Sequence, residues 1–232
     1  MVDYGQVGAG EPIESENIVE FRLLYSGELF ASSRTGTRAA HKHVIRRQFH
    51  PQLRRLWEIN KNLRLLACHS GLRDRGQSNN FPFSKNSRVE QSWFNAGIGV
   101  IGKKWSRVGY QFIPLITSHI AVRCSLDVLL LRPEEERFIF ERGDIDGQIK
   151  TLFDALRMPI DLAQAGGIGP QEDEDPFFCL LEDDKLISEV HIVTDQLLLL
   201  PTERRVRANT CAVVLHVKPN HKTSGSTDQY FA

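Results

Sequence analysis

The stretch HIAVRCSLDVLLL, residues 119–131, decides the fold. Ile120, Val122, Cys124, Leu126, Val128 and Leu130 take every second position, with Arg123, Ser125 and Asp127 between them, the alternation of a strand that buries one face. After a charged turn at Pro133 to Arg137 comes DIDGQIKTLFDAL, residues 144–156, and the period changes. Ile149, Leu152, Phe153 and Leu156 fit i, i+3, i+4, i+7, so a helix follows, with Asp146 as a suitable N-cap and Met158-Pro159 as its end.

On the N-terminal side, Val19, Phe21, Leu23 and Tyr25 alternate within 18–30 and predict a first strand ending near Ser26-Gly27. Val44, Ile45, Phe49, Leu53, Leu56, Trp57, Leu63 and Leu66 then recur at helical spacing, and Pro51 is expected to divide them into two helices. Residues 70–104, rich in Gly, Ser, Asn, Arg and Lys, read as a loop-rich insertion. Within it, Gly97-Ile98-Gly99-Val100-Ile101-Gly102 matches the dinucleotide-binding glycine pattern. No strand leads into it and Lys103-Lys104-Trp105 does not open a helix, so no nucleotide cofactor is expected.

A strand is expected over 108–116. On the C-terminal side, 164–176 reads as a flexible acidic loop, Phe177 to Leu181 lead into Glu182-Asp183-Asp184, and strands are expected over 187–200 and 205–218 with a turn at Pro201-Thr202. The order is strand, helices, strands, helix, strands, which predicts one α+β domain over 18–218 with a mixed or antiparallel sheet. Residues 1–17 are expected to be disordered, 219–232 a flexible tail, and 70–104 and 160–176 insertions.

With 232 residues the chain is long enough for a sizeable core, and no apolar run approaches a membrane span or a secretory leader. A cytoplasmic protein is the expectation, its scattered Cys68, Cys124, Cys179 and Cys211 being reduced structural thiols. The zero net charge conceals an asymmetry. Between Arg34 and Arg75 eleven Lys and Arg face two acids, whereas between Gln171 and Glu189 eight acids meet one base, Lys185. The first run suits phosphate and the second a divalent cation, although both also suit a solvated surface.

Asp144 and Asp146 stand two apart and project to one side if the backbone is extended up to the helix start. Two close carboxylates favour a neutralising cation, and all-oxygen ligands suit Mg²⁺. Asp183-Asp184, just before a strand, is the best source of a third carboxylate. Lys150, four residues after Asp146, could contact a scissile phosphate or could pair with Asp146 or Asp154 and only stabilise the helix.

Asp-x-Asp, a lysine four residues after the second Asp, a helix ending Asp154-Ala155-Leu156, and Asp183-Asp184 three residues before Ile187 together resemble the RusA-type Holliday junction resolvases. The resemblance covers Asp144 to about Val193, and the rest by topology. It implies an α+β fold with a RusA-like mixed sheet and helices packed on one side, a homodimer, and Mg²⁺-dependent cutting of branched DNA, with Mn²⁺ as a substitute. It makes Asp144, Asp146 and Asp184 metal ligands with Asp183 in support, and Lys150 the catalytic cation. Gly147 stands where the family has Asn, and the insertions enlarge the chain. Arg34, Arg38, Lys42, Arg46 and Arg47 are the candidate phosphate contacts, set against the plainer reading that they keep a helix face soluble. Two other readings compete with an active nuclease: a catalytically weakened module that binds nucleic acid or a protein, and a purely structural ion network.

Overall fold

A computed structural model describes residues 20–31, 39–74, 87–120, 122–133, 145–198 and 210–221. The alternation at 119–131 becomes strand β4 (Val122–Pro133), in which Val122, Cys124, Leu126, Val128 and Leu130 are all buried. It lies inside a four-stranded sheet ordered β1 (Phe21–Glu28), β7 (Thr210–His221), β4, β6 (Ile187–Leu197). The sheet is mixed, since β1 and β4 run antiparallel to β7 while β4 and β6 are parallel. Leu23 and Tyr25 of β1 and Cys211, Val213, Leu215 and Val217 of β7 join the β4 residues in one core.

Helix α1 (Ala39–Ile59) packs on this core through Ile45, Phe49, Leu53 and Trp57, while Val44, expected on the same stripe, is exposed. Pro51 lies inside α1 and does not divide it. The break comes at Asn60, whose side-chain oxygen accepts the N–H groups of Asn62 and Leu63, both at 3.0 Å, and so caps α2 (Lys61–Asp74).

Residues 70–104 are not loop-rich as expected. The rest of α2 and helix α3 (Ser87–Lys104) occupy most of them, with Phe94 and Ile98 buried and Trp93 and Ile101 packed against the same core. Gly71 and Gly97 serve helix contact. A Cβ added at Gly97 would stand 1.6 Å from the Ala67 carbonyl oxygen, and one at Gly71 would stand 2.9 Å from the Gly97 nitrogen. Of the pattern's three glycines, then, Gly97 lets the two helices touch, Gly102 faces Gln111, and Gly99 meets nothing within 4 Å.

After α3 come β2 (Ser106–Arg107) and β3 (Tyr110–Ile116), which form a second sheet with β5 (Phe177–Leu181), ordered β2, β3, β5. The sequence pointed to one mixed sheet; among the described residues there are two, with α1 contacting both β1 and β5. Helix α4 (Ile145–Leu156) buries Ile149, Leu152 and Leu156. It begins at Ile145, so Asp146 lies in its first turn and the position before it is 144, outside the described residues. Also outside are residues 1–17, Arg34, Arg38, the turn from 134 onward, Pro201-Thr202 and 222–232.

Two further expectations change. Strand β7 runs on to His221, with Asn220 donating to the Ser125 hydroxyl at 2.7 Å. Pro219 is accommodated because the β1 pairing has already stopped at Phe21 and Val217. The acidic loop before β5 is pinned, with Ala165 and Glu174 buried. Among the described residues no helix is long and apolar enough to cross a membrane, and Cys68, Cys124, Cys179 and Cys211 are free and buried.

Candidate functional site

Every residue of β5 is buried, and the strand delivers the chain to the surface at a fixed point. There Glu182 donates its N–H to Ile116 at 3.0 Å, and its carboxylate accepts the Ser118 N–H and hydroxyl, each at 2.8 Å. Asp183 follows in extended conformation and caps a single 3₁₀ turn (Asp184–Leu186) by accepting the Lys185 N–H at 3.0 Å. Strand β6 starts directly after it. The Asp183-Asp184 pair therefore occupies the strand entry that the spacing suggested.

The end of α4 is fastened to the same point, because Met158 donates its N–H to Leu181 at 2.9 Å. That brings Asp154, near the end of α4, into the neighbourhood of Asp184. Asp154 accepts from Arg157 Nε and Nη2 at 3.2 and 3.1 Å and from Lys42 at 2.5 Å. Arg157 Nε also stands 3.8 Å from Asp184.

The titrations follow from this arrangement. Burial pushes the Asp154 carboxyl up, but Lys42 and Arg157 outweigh burial and hold it below its ordinary value. The Lys185 N–H holds Asp183 down. Partial burial and then the neighbouring Asp183 carboxylate push Asp184 up.

Of the remaining predicted residues, Asp144 lies outside the described residues. Asp146 and Lys150 are exposed on α4, and Lys150 has no ion-pair partner among the described residues. Asp146 precedes Asp154 by eight residues, about 12 Å along a helix axis. The acid that the fold sets beside Asp184 is thus Asp154, and no three His, Cys, Asp or Glu among the described residues converge to hold a metal ion. Gly147 is buried, and its carbonyl accepts the Thr151 hydroxyl at 3.0 Å. The buried amide next to it belongs to Gln148, which donates to Leu29 at 2.8 Å and accepts from Arg132.

The basic candidates separate sharply. Arg46, expected to contact phosphate, is instead 1% exposed. Its guanidinium donates to the carbonyls of Arg157, Gln164 and Asp154 at 3.1, 2.9 and 2.9 Å, closing the end of α4 where helix carbonyls lack partners. Burial brings its pKa down to about 10, so it stays charged at neutral pH. Lys42 is held by Asp154. Arg47 is half-exposed, with its Nε 2.6 Å from Glu174.

Glu174 belongs to a second cluster that sequence reading did not single out. Its carboxylate accepts from the Gln171 N–H at 3.0 Å and the Tyr110 hydroxyl at 3.3 Å, and His43 Nε2 stands 3.5 Å away. His50 fastens the same loop. Its Nδ1 accepts the Phe178 N–H at 2.8 Å, which leaves Nε2 as the donor to Asp173 at 2.9 Å and fixes the tautomer. Burial lowers the pKa of both His43 and His50. A cavity of about 370 Å³ opens between α1, at Arg47, His50 and Arg54, and the loop at Asp173 and Glu174. The only sequence signal was a lone acid among several.

Comparison with known proteins returns no matching family model, no matching curated protein and no matching solved structure. What stands is an α+β chain whose described residues form two sheets with an acidic turn between β5 and β6.

Proposed function

We propose that this chain is a Mg²⁺-dependent endonuclease of RusA-like type, hydrolysing phosphodiester bonds in branched DNA. The observation that carries the reading is the Asp183-Asp184 pair at the end of β5. Both side chains are 47% exposed, and the two are close enough for the proton on Asp184 to be favoured by the charge on Asp183. Adjacent carboxylates whose titrations are driven apart are a common device of metal and acid-base sites.

The donor set fits a hard cation that keeps several waters. Asp183 and Asp184 would hold it, together with Asp144 or Asp146 brought from the start of α4. Mn²⁺ has the same donor preference and would serve as its substitute. When bound, the ion supplies Lewis-acid polarisation and a water acidified toward neutrality. Lys150, exposed and without an ion-pair partner among the described residues, would stabilise negative charge on the leaving 3′ oxygen. Lys42 and Arg157 keep Asp154 ionised and neutralise it, while the Lys185 N–H keeps Asp183 ionised, so the carboxylate offered to a cation is chiefly that of Asp183. The products would be a 5′-phosphate and a 3′-hydroxyl. Arg34, Arg38 and the exposed part of Arg47 remain the proposed backbone-phosphate contacts.

A second reading is a weakened RusA-like module that binds nucleic acid or a protein without cutting. It is favoured by one observation: Asp184 meets Asp154, already neutralised by Lys42 and Arg157, and not Asp146.

One assay separates them. The protein is incubated with four-way junction, flap, duplex and single-stranded DNA, with and without Mg²⁺. The nuclease reading expects metal-dependent nicking of branched DNA, reduced at least about 100-fold in Asp184→Asn and Asp146→Asn. Equal cleavage by variants and parent overturns the site. Junction binding without cleavage in Mg²⁺ or Mn²⁺ establishes the second reading, and calorimetry showing no Mg²⁺ uptake at millimolar concentration reduces the cluster to a structural ion network.

A further inference from the structure

The four-stranded sheet ends in two edges that the chain treats differently. Beside β1, α1 supplies two glutamines. Gln52 accepts the Leu24 N–H at 2.9 Å and donates to the Leu24 carbonyl at 2.7 Å, and Gln48 does the same for Ser26 at 3.2 and 3.1 Å. The groups that an added strand would use are satisfied by side-chain amides. This edge is closed.

The opposite edge is β6. It pairs with β4 from Cys124 and Ile187 through Pro133 and Leu197, and among the described residues no strand pairs with its other side. It is eleven residues long and contains neither proline nor lysine, the residues that commonly keep an edge solitary. Val190, Ile192 and Val193 are 38%, 38% and 43% exposed. Val193 also completes an apolar row across the outer face, because Leu24, Val214, Leu129 and Val193 are successive register partners on the four strands.

We propose that β6 pairs antiparallel with β6 of a second copy of this chain, centred on Val193, joining two four-stranded sheets into one continuous sheet. The register follows from charge. In a two-fold antiparallel pair, residues equally spaced about the centre face each other on the same side of the sheet. Centred on Ile192, Glu189 would oppose Asp195. Centred on His191, Ile187 would oppose Asp195, and centred on Thr194, Val193 would oppose Asp195. Centred on Val190, Glu189 would meet His191, but the paired length would shrink to residues 187–193. Centred on Val193, His191 opposes Asp195 twice, Val193 opposes itself, Ile192 opposes Thr194 and Val190 opposes Gln196; the pairing spans 189–197, and an acid meets an apolar residue only at its ends, Glu189 opposite Leu197. The apolar row then continues from one copy into the next.

The two-fold axis stands perpendicular to the sheet, so both Asp183-Asp184 turns come to the same face. Their following residues, Ile187 in each copy, would lie roughly 40 Å apart at strand spacing. The proposal rests on the edge alone and holds whether or not the chain cuts DNA.

The test uses the full chain. Sedimentation is expected to give twice the 26.4 kDa chain mass at tens of micromolar, and Val193→Arg, which sets a charge opposite itself, is expected to give 26.4 kDa with an unchanged circular dichroism spectrum. Val193→Cys should form an intermolecular disulfide under mild oxidation, since the native cysteines are all buried. Glu189→Cys, far from its own copy in this register, should not. A monomeric parent overturns the proposal, as does a dimer that Val193→Arg leaves intact, or one in which Glu189→Cys crosslinks and Val193→Cys does not.

Discussion

Glu174 and Asp184 belong to the same acidic run, yet the fold puts them to opposite uses. Glu174 is 1% exposed and is met by Arg47, Tyr110, His43 and the Gln171 N–H. Asp184 is half-exposed, meets Arg157 at 3.8 Å, and lies against another carboxylate. The difference is which residues of α1 arrive. Arg47 and His43 reach the loop before β5, whereas Lys42 reaches only Asp154 and leaves the turn after β5 negative. A carboxylate surrounded by donors is structural; one crowded by another carboxylate is free to take a ligand.

The largest effect should come from removing the enclosed acid. Glu174→Ala leaves Tyr110 and His43 buried without their partner, and a loss of about 3 kcal/mol is expected in urea unfolding. A loss under about 1 kcal/mol would return the loop to the solvated acidic run that its composition suggested. Glu174→Gln should cost less, because the amide still accepts from Tyr110 and Gln171.

Acid should drive the two regions in opposite directions. Below the ordinary histidine value of 6.5 the unfolded chain takes up protons that buried His43 and His50 resist, so their contribution is complete above 6.5 and is lost as pH falls through their lowered values. Asp184, whose value is raised, contributes stability at acid pH that is lost as pH rises through that raised value. The protection factor of the Phe178 amide, whose N–H is held by His50, should therefore fall below pH 6.5 once the slower intrinsic exchange at lower pH is divided out. A flat stability profile between pH 5 and 8, unchanged in His50→Gln, would show that the loop does not depend on neutral histidine.

Which of these features the sequence disclosed depends on whether their cause is local. Strand β4 and helix α4 were legible because Leu126, Val128 and Leu130, and Ile149, Leu152 and Leu156, carry their own period. The end of α2 and the whole of α3 were not, because Gly71 and Gly97 look like loop signals when their use is to let two backbones approach. The position of Asp183-Asp184 just before a strand was readable from spacing; the cap that Asp183 makes was not. The pair's neighbour Asp154, and the engagement of Arg157 and Lys42, depend on α4 being fastened to β5 and on α1 crossing both. Arg46 and Arg47 are adjacent in sequence, one sealed and one half-exposed, and nothing in residue type distinguishes a guanidinium that closes a helix end from one that faces water. The closure of the β1 edge by Gln48 and Gln52 is equally a tertiary event.

The smallest effect is the most discriminating. At neutral pH the ionised Asp184 is disfavoured by burial and by Asp183, so Asp184→Asn removes an unfavourable charge and should leave stability unchanged or raise it. Because the side chain is 47% exposed, water screens the interaction, and the gain is expected to be about 0.5 kcal/mol or less. The proposed nuclease activity, in contrast, should fall with the same substitution. A protein that keeps its fold and loses its chemistry on removal of one oxygen charge has been holding that charge for a ligand. If Asp184→Asn instead destabilised the chain by more than about 1 kcal/mol, Asp184 would be an anchor for Arg157, and the contrast with Glu174 would collapse into two structural ion pairs differing only in depth.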